Sequence, residues 1–214
     1  MKKLFILFSL ALFSLSTNAH NNQNNQLAIK SGYVEYELTG SVTGTKKYWW
    51  DDYGNKSRTE IKSTSEVKIF GMTSKEEQHS ITITDDNTIY TQDLIKGTAH
   101  KSSNEEYEEI ANEMTEDMTE EEIEQLSEEV LASMGGERLG TETILGKECE
   151  VIKVMMAKVW MYKGISLKST AKVMSIETNE TAVKFDENIS IPSSTFTPDK
   201  SVEYQKMPEY GEEY

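Results

Sequence analysis

LGTETILGKECEVIKVMMAKVWMYKGISLKS, residues 139–169, reads as strand, turn, strand, turn, strand. Thr141 to Leu145 carries β-branched and apolar residues, and Gly146-Lys147 supplies a tight turn. Cys149, Val151, Ile152 and Val154 then follow in approximate alternation, which predicts a hairpin. A second hairpin follows, with Val159–Tyr162 as one arm, Lys163-Gly164 as the turn and Ile165–Thr170 as the other. Consecutive antiparallel strands of this kind form a meander.

Outward from this stretch the pattern repeats on both sides. Upstream, IKSGYVEYEL (residues 29–38) alternates, placing Tyr33, Glu35 and Glu37 on one face and Val34, Tyr36 and Leu38 on the other. Strands are expected at 45–50, 56–64, 66–72, 79–84, 88–92 and 96–101, with Asp51–Asn55 and Asp85-Asp86-Asn87 as connections. Downstream, 171–178 and 181–185 read as a strand pair joined through Asn179-Glu180, and the Pro192–Pro198 stretch reads as an edge or loop.

The texture changes over residues 103–134, which hold thirteen acidic residues and neither glycine nor proline. Tyr107, Ile110, Ala111, Met114 and Met118 recur at helical spacing, and Ile123, Leu126, Val130, Leu131 and Met134 do so again. Ser103 with Glu106, and Thr119 with Glu122, fit the reciprocal cap of a helix start, and Gly135-Gly136 supplies a stop. Two amphipathic helices are expected, inserted between two runs of strands. That order predicts an α+β fold: a strongly curved, unclosed antiparallel sheet with helices on its concave face, a closed barrel being the main competitor.

The glycine-led strand ending in LGKEC, the strand holding Trp160, and the following Tyr162-Lys163-Gly164-Ile165 and Leu167-Lys168 together resemble the C-terminal signature of a family of secreted bacterial proteins. The fold of that family is similar to that of the outer-membrane lipoprotein carriers LolA and LolB. The resemblance covers residues 139–170 by motif and residues 29–100 by strand pattern only. It implies an apolar cavity between a half-barrel and its helices, and no catalytic residue.

The chain opens with Lys2 and Lys3, an apolar run from Leu4 to Leu15, and Thr17-Asn18-Ala19, the three regions of a secretory signal peptide. The run is too short to span a bilayer, which needs about 20 residues. Cleavage after Ala19 leaves 195 of 214 residues and a periplasmic or secreted protein. Residues 20–28, rich in Asn and Gln, are expected to be a disordered lead-in, 29–200 a single domain, and 201–214 an acidic tail.

The net charge is −15, and losing Lys2 and Lys3 with no acid takes it to −17. Such a balance repels phosphate backbones and excludes nucleic acid as a natural partner; it also disfavours an anionic lipid surface. The single cysteine, Cys149, permits no intrachain disulfide and reads as a small buried apolar residue. His20, His79 and His100 form no recognisable constellation, and no motif for a nucleophile, metal or cofactor is present.

The apolar side chains carry the functional expectation. Methionine adapts its shape to variable acyl chains, and the expected ligand-binding set is Trp50, Ile110, Met114, Met118, Leu126, Val130, Met156 and Trp160. The expectation is a monomeric, non-enzymatic carrier or binding protein for a lipid or lipoprotein acyl chain held between sheet and helices. The alternative is an envelope protein–protein interaction module that uses its acidic helices.

Overall fold

The computed structural model describes residues 27–69, 72–105, 109–110, 113, 115–174 and 176–206. The expected leader, most of the expected lead-in, much of the first expected helix and the end of the expected tail lie outside the described residues.

Among the described residues, twelve strands form one open sheet. They are β1 (Gly32–Gly40), β2 (Val42–Asp51), β3 (Lys56–Ile69), β4 (Met72–Asp85), β5 (Thr88–Asp93), β6 (Thr98–Ser103), β7 (Glu137–Ile144), β8 (Lys147–Val154), β9 (Ala157–Tyr162), β10 (Ile165–Val173), β11 (Ile176–Glu187) and β12 (Gln205–Lys206). The order across the sheet is β12-β6-β5-β4-β3-β2-β1-β11-β10-β9-β8-β7, antiparallel throughout except where β12 pairs parallel to β6. Because β7 and β12 are different edges, the sheet does not close on itself.

Curvature follows from the side chains. Trp50 on β2 lies across Gly32 on β1, where a Cβ would stand 2.2 Å from the indole, and reaches Phe185 on β11 with ring centroids 6.1 Å apart. Phe185 in turn meets Tyr162 on β9 edge-on at 5.8 Å. Three aromatic rings thus reach across five neighbouring strands. Tyr36 repeats the device: it faces Ala182 in register and its hydroxyl donates to the Ser166 carbonyl, one strand further on, at 2.8 Å. Large residues on one strand reach over small ones on the next, which brings distant strands together on one face. Register shifts at Glu35/Tyr36, Ser166/Lys168 and Arg138/Thr141 add the local twist that bending requires.

The main core gathers Leu27, Ile29, Val34, Tyr36, Tyr48, Trp50, Cys149, Val151, Trp160, Ile165, Leu167 and Ala182. One end of the curved sheet is plugged by the segment before β1. Leu27 N–H donates to the Tyr53 carbonyl, Ala28 N–H to that of Lys163, and the Trp50 indole N–H to that of Ile29. The folded chain therefore includes Leu27 and Ala28, which composition assigns to the lead-in. Leu27 has apolar surface to bury, and the polar residues before it do not.

At the same end Lys147 Nζ donates to Glu187 Oε1 at 2.5 Å, with Lys163 Nζ 3.8 Å from the other oxygen. The bond from Lys147, then the charges of both lysines, hold the Glu187 carboxyl below its ordinary range. A depressed carboxylate stabilises the fold above its unfolded pKa, and that contribution is lost as pH falls through the folded value. Glu187→Gln is therefore expected to be less stable than the parent near neutral pH, with the gap closing below about pH 4. Denaturant titrations at both pH values check this; an unchanged gap would refute it.

One helix is described along its whole length, α1 (Glu120–Ser133); Glu105, Glu109, Ile110, Glu113 and Thr115, the described residues of the first expected helix, are also helical. Thr119 and Glu122 form the expected reciprocal cap. Gly135, at φ +65°, and Gly136 terminate it, their N–H groups donating to the Ala132 and Leu131 carbonyls. α1 docks by Leu131 against Ile152, Val154 and Met161. Val151 and Ile152 are consecutive and both buried, so β8 is covered on both faces, by the core on one side and α1 on the other. α1 therefore lies over β8 and β9 on the face opposite the aromatic core, not on the concave face expected to hold two helices, and most of the first expected helix lies outside the described residues.

The chain after β11 covers β3–β5. Phe196 is buried, and Tyr204 packs edge-on against Tyr90 at 5.2 Å. Arg58, Ile83 and Tyr90 share a register row with Trp49, the neighbour of Trp50, so this cover lies on the face opposite the main core. The start of the expected acidic tail is part of the fold, because Tyr204 has a ring to bury.

Candidate functional site

Two hairpin turns stand side by side at the end of the sheet opposite the plug. β8 turns into β9 at Met155-Met156, and β10 turns into β11 immediately after Val173, at Met174. The turns are adjacent because β9 and β10 pair directly, with Ala157 opposite Ala171 and the Lys172 N–H donating to the Met156 carbonyl at 3.2 Å.

A cleft of about 390 Å³ lies here, with Met155, Met156, Ala157 and Ala171 among its lining. Met155 and Met156 are 66% and 61% exposed, and Met174, just beyond the cleft, is 93% exposed. Met155 and Met174 adopt φ of 52° and 54°, a left-handed conformation that favours glycine, asparagine or aspartate over a long apolar side chain.

The charge around the cleft departs from that of the chain. Its lining carries Lys153, Lys158 and Lys172 against one acid, Glu177. Lys153 pairs with Glu137 at 2.8 Å and Lys172 with Glu177 at 3.6 Å, and Lys158 sits 5.3 Å from the centre of the Trp160 ring. Ammonium groups around a cleft that sets Met155 and Met156 beside Thr170 and Asn179 suit an amphiphile with an acyl body and an anionic head.

A second cavity, about 270 Å³, lies under the chain after β11, lined by Ile81, Ile83, Tyr90, Leu94 and Tyr204 with Arg58 and Asp199. It is more enclosed by chain than the cleft, and fewer exposed apolar residues surround it.

The eight expected binding residues are not gathered at one place. Trp50 and Trp160 are buried in the packed core, where Trp160 donates to Glu142 Oε2 at 2.8 Å. Leu126 and Met118 are half-buried, Val130 and Ile110 are exposed, and Met114 lies outside the described residues. Met156 alone of the set lines the cleft. Cys149 is buried and its thiol is pushed up by desolvation, the opposite of what a nucleophile needs. The lysines escaped sequence reasoning, and Met155 and Met174, though methionines of the kind expected to receive acyl chains, fall outside the expected set. The signal that could have found them is two methionines at positions where turn chemistry calls for other residues.

No protein-family model and no curated protein matches the sequence. Among solved structures, the chain is similar to an uncharacterized conserved protein from Thermus thermophilus, with a TM-score of 0.52 and 6% identity over 84% of this chain and 92% of that one. It is more loosely similar to a chain of the MucA/MucB complex of Pseudomonas aeruginosa, with a TM-score of 0.44 and 10% identity over 81% of this chain and 57% of that one. At 6% identity the first likeness establishes a shared fold and nothing further. Among the described residues, no helix is long and apolar enough to cross a membrane.

Proposed function

We propose that this protein is a secreted, non-enzymatic carrier or binding protein for an apolar ligand, a lipid or lipoprotein acyl chain, received at the cleft between the β8–β9 and β10–β11 turns. The observation that carries this reading is the exposure of Met155 and Met156 on the wall of a 390 Å³ cleft. Burying methylenes there contributes about 0.8 kcal/mol each, so a long chain binds well without a specific polar contact. Lysines at the rim would neutralise an anionic head. The leader of Met1–Ala19 and the resemblance of residues 139–170 to the lipoprotein-carrier fold support the same assignment.

A fluorescent fatty-acid probe is expected to bind and to be displaced by lipid extract. Met156→Glu should weaken it at least tenfold with an unchanged circular dichroism spectrum, since about 2 kcal/mol of apolar contact is replaced by a charge. A folded protein that binds no apolar probe would sink the proposal. The exposed Glu121, Glu124 and Glu129 of α1 favour a second reading, an envelope interaction module for a basic protein. Such a complex should weaken steeply with ionic strength, whereas acyl-chain binding should not.

A further inference from the structure

The end of the sheet that carries the cleft presents more apolar surface than the cleft itself uses. Met174, the most exposed of the large apolar residues, stands outside the cleft lining, with Val173 beside it also exposed. The turn between β1 and β2 at this same end, by contrast, is Gly40-Ser41. The β5–β6 turn, several strands away across the sheet, also exposes Leu94 and Ile95, but the methionine tips stand on two hairpins that are direct neighbours.

Their conformation sharpens the point. A methionine at φ 52° or 54° costs stability that asparagine or glycine would not. The β7–β8 and β9–β10 turns, at the plugged end, place Gly146 and Gly164 beside their one left-handed side chain. Exposed methionines held in an unfavourable backbone conformation contribute nothing to this fold that a smaller polar residue would not contribute better. Local rules broken without a structural gain mark a surface used for something else.

Charge identifies what that surface meets. A chain of net charge −15 places three lysines around these tips against two glutamates, Glu177 and the Glu137 that pairs with Lys153. We propose that this end of the sheet docks on an anionic lipid bilayer, with Met155, Met156 and Met174 entering the interface and Lys153, Lys158 and Lys172 facing lipid phosphates. Apolar tips with basic side chains beside them combine the two forces that hold peripheral proteins at such surfaces. The overall negative charge opposes approach in any other orientation, so it selects the pose as well as permitting it. The inference rests on the same turns as the ligand cleft but requires no bound ligand.

The test is sedimentation with vesicles of phosphatidylcholine alone and with added phosphatidylglycerol. The full secreted chain is expected to partition onto the anionic vesicles and to be released by salt. Replacing Lys153, Lys158 and Lys172 together by glutamine should lower partitioning about a hundredfold, at about fivefold per lysine. Met174→Asn should lower it about tenfold while raising the melting temperature, because asparagine tolerates the left-handed turn and methionine loses its burial in lipid. Leu145→Asn, at a turn of the opposite end, should leave partitioning unchanged.

Met174→Asn should also leave fatty-acid probe binding intact, since Met174 does not line the cleft. Loss of vesicle binding with the probe retained supports docking separately from the ligand site. The proposal is overturned if the wild-type chain ignores anionic vesicles, binds neutral ones equally, or is unaffected by Met174→Asn. It is equally overturned if the chain is a stable dimer in solution whose dissociation requires these methionines, because a second copy would then be the occupant.

Discussion

Trp50→Ala is expected to lose about 3–5 kcal/mol of folding stability, the range for removing a fully buried large aromatic. Trp50 is 0% exposed, stacks on Tyr48 at 5.6 Å and on Phe185 at 6.1 Å, and donates to the Ile29 carbonyl in the terminal plug. Its loss opens a cavity, leaves that carbonyl without its partner and frees the segment from Leu27 to Ser31. Gly32→Ala attacks the same contact from below, because the added Cβ would stand 2.2 Å from the indole and 2.6 Å from the Asp186 carbonyl oxygen. The indole can shift but the backbone of β11 cannot readily follow. Denaturant unfolding of both variants checks the argument; a loss below about 1 kcal/mol for Trp50→Ala would mean that the three-ring bridge does not set the curvature.

Leu131→Ala is expected to release α1 and leave the sheet standing. Leu131 is the side chain by which the helix enters the core, and removing it costs about 2–5 kcal/mol where the site cannot collapse. What then holds α1 is Arg138, which bonds Glu128 on the helix at 2.5 Å and Glu150 on β8. A partly exposed ion pair is worth about 1 kcal/mol or less, too little to replace the lost burial. A 14-residue helix without a docking surface is marginal in water. Hydrogen exchange should therefore accelerate across Glu120–Ser133 while β1, β2 and β11 keep their protection. A uniform loss across the whole chain would show instead that helix and sheet unfold as one unit.

Where turns coincide with turn chemistry, the chain was legible. Gly146 and Gly164 mark two of the three turns of the 139–170 meander, Asp86 marks that between β4 and β5, and Gly135-Gly136 ends α1 where expected. Where they do not coincide, reading failed in a consistent direction. Asn179 and Glu180 look like a turn but lie inside β11, and the turn falls at Met174, in a position that local preference argues against. Residues 73–78 lack apolar character, yet they belong to β4, a 14-residue strand paired throughout with an equally long β3. A hairpin solvated on both faces is held by its ladder of backbone bonds, and side-chain patterning carries no trace of that.

The candidate site shows the same division. Methionine content pointed to apolar binding and drew Met156, which lines the cleft, into one set with Trp50 and Trp160, which are buried. An aromatic residue on a strand reads the same whether it lines a hollow or fills one. Only the partners across the sheet, Gly32 under Trp50 and Val151 beside Trp160, decide that these are filled.

By itself, then, the sequence determined that this chain forms a long antiparallel meander with a capped acidic helix inserted in it, because strand alternation, glycine turns and helix caps are local properties. Only the tertiary structure decided which strands are neighbours, which end is plugged, and that Met155, Met156 and Met174 stand together among three lysines. Those facts depend on pairing between residues far apart in the chain, such as β1 with β11, and no local pattern of side chains encodes such a pairing.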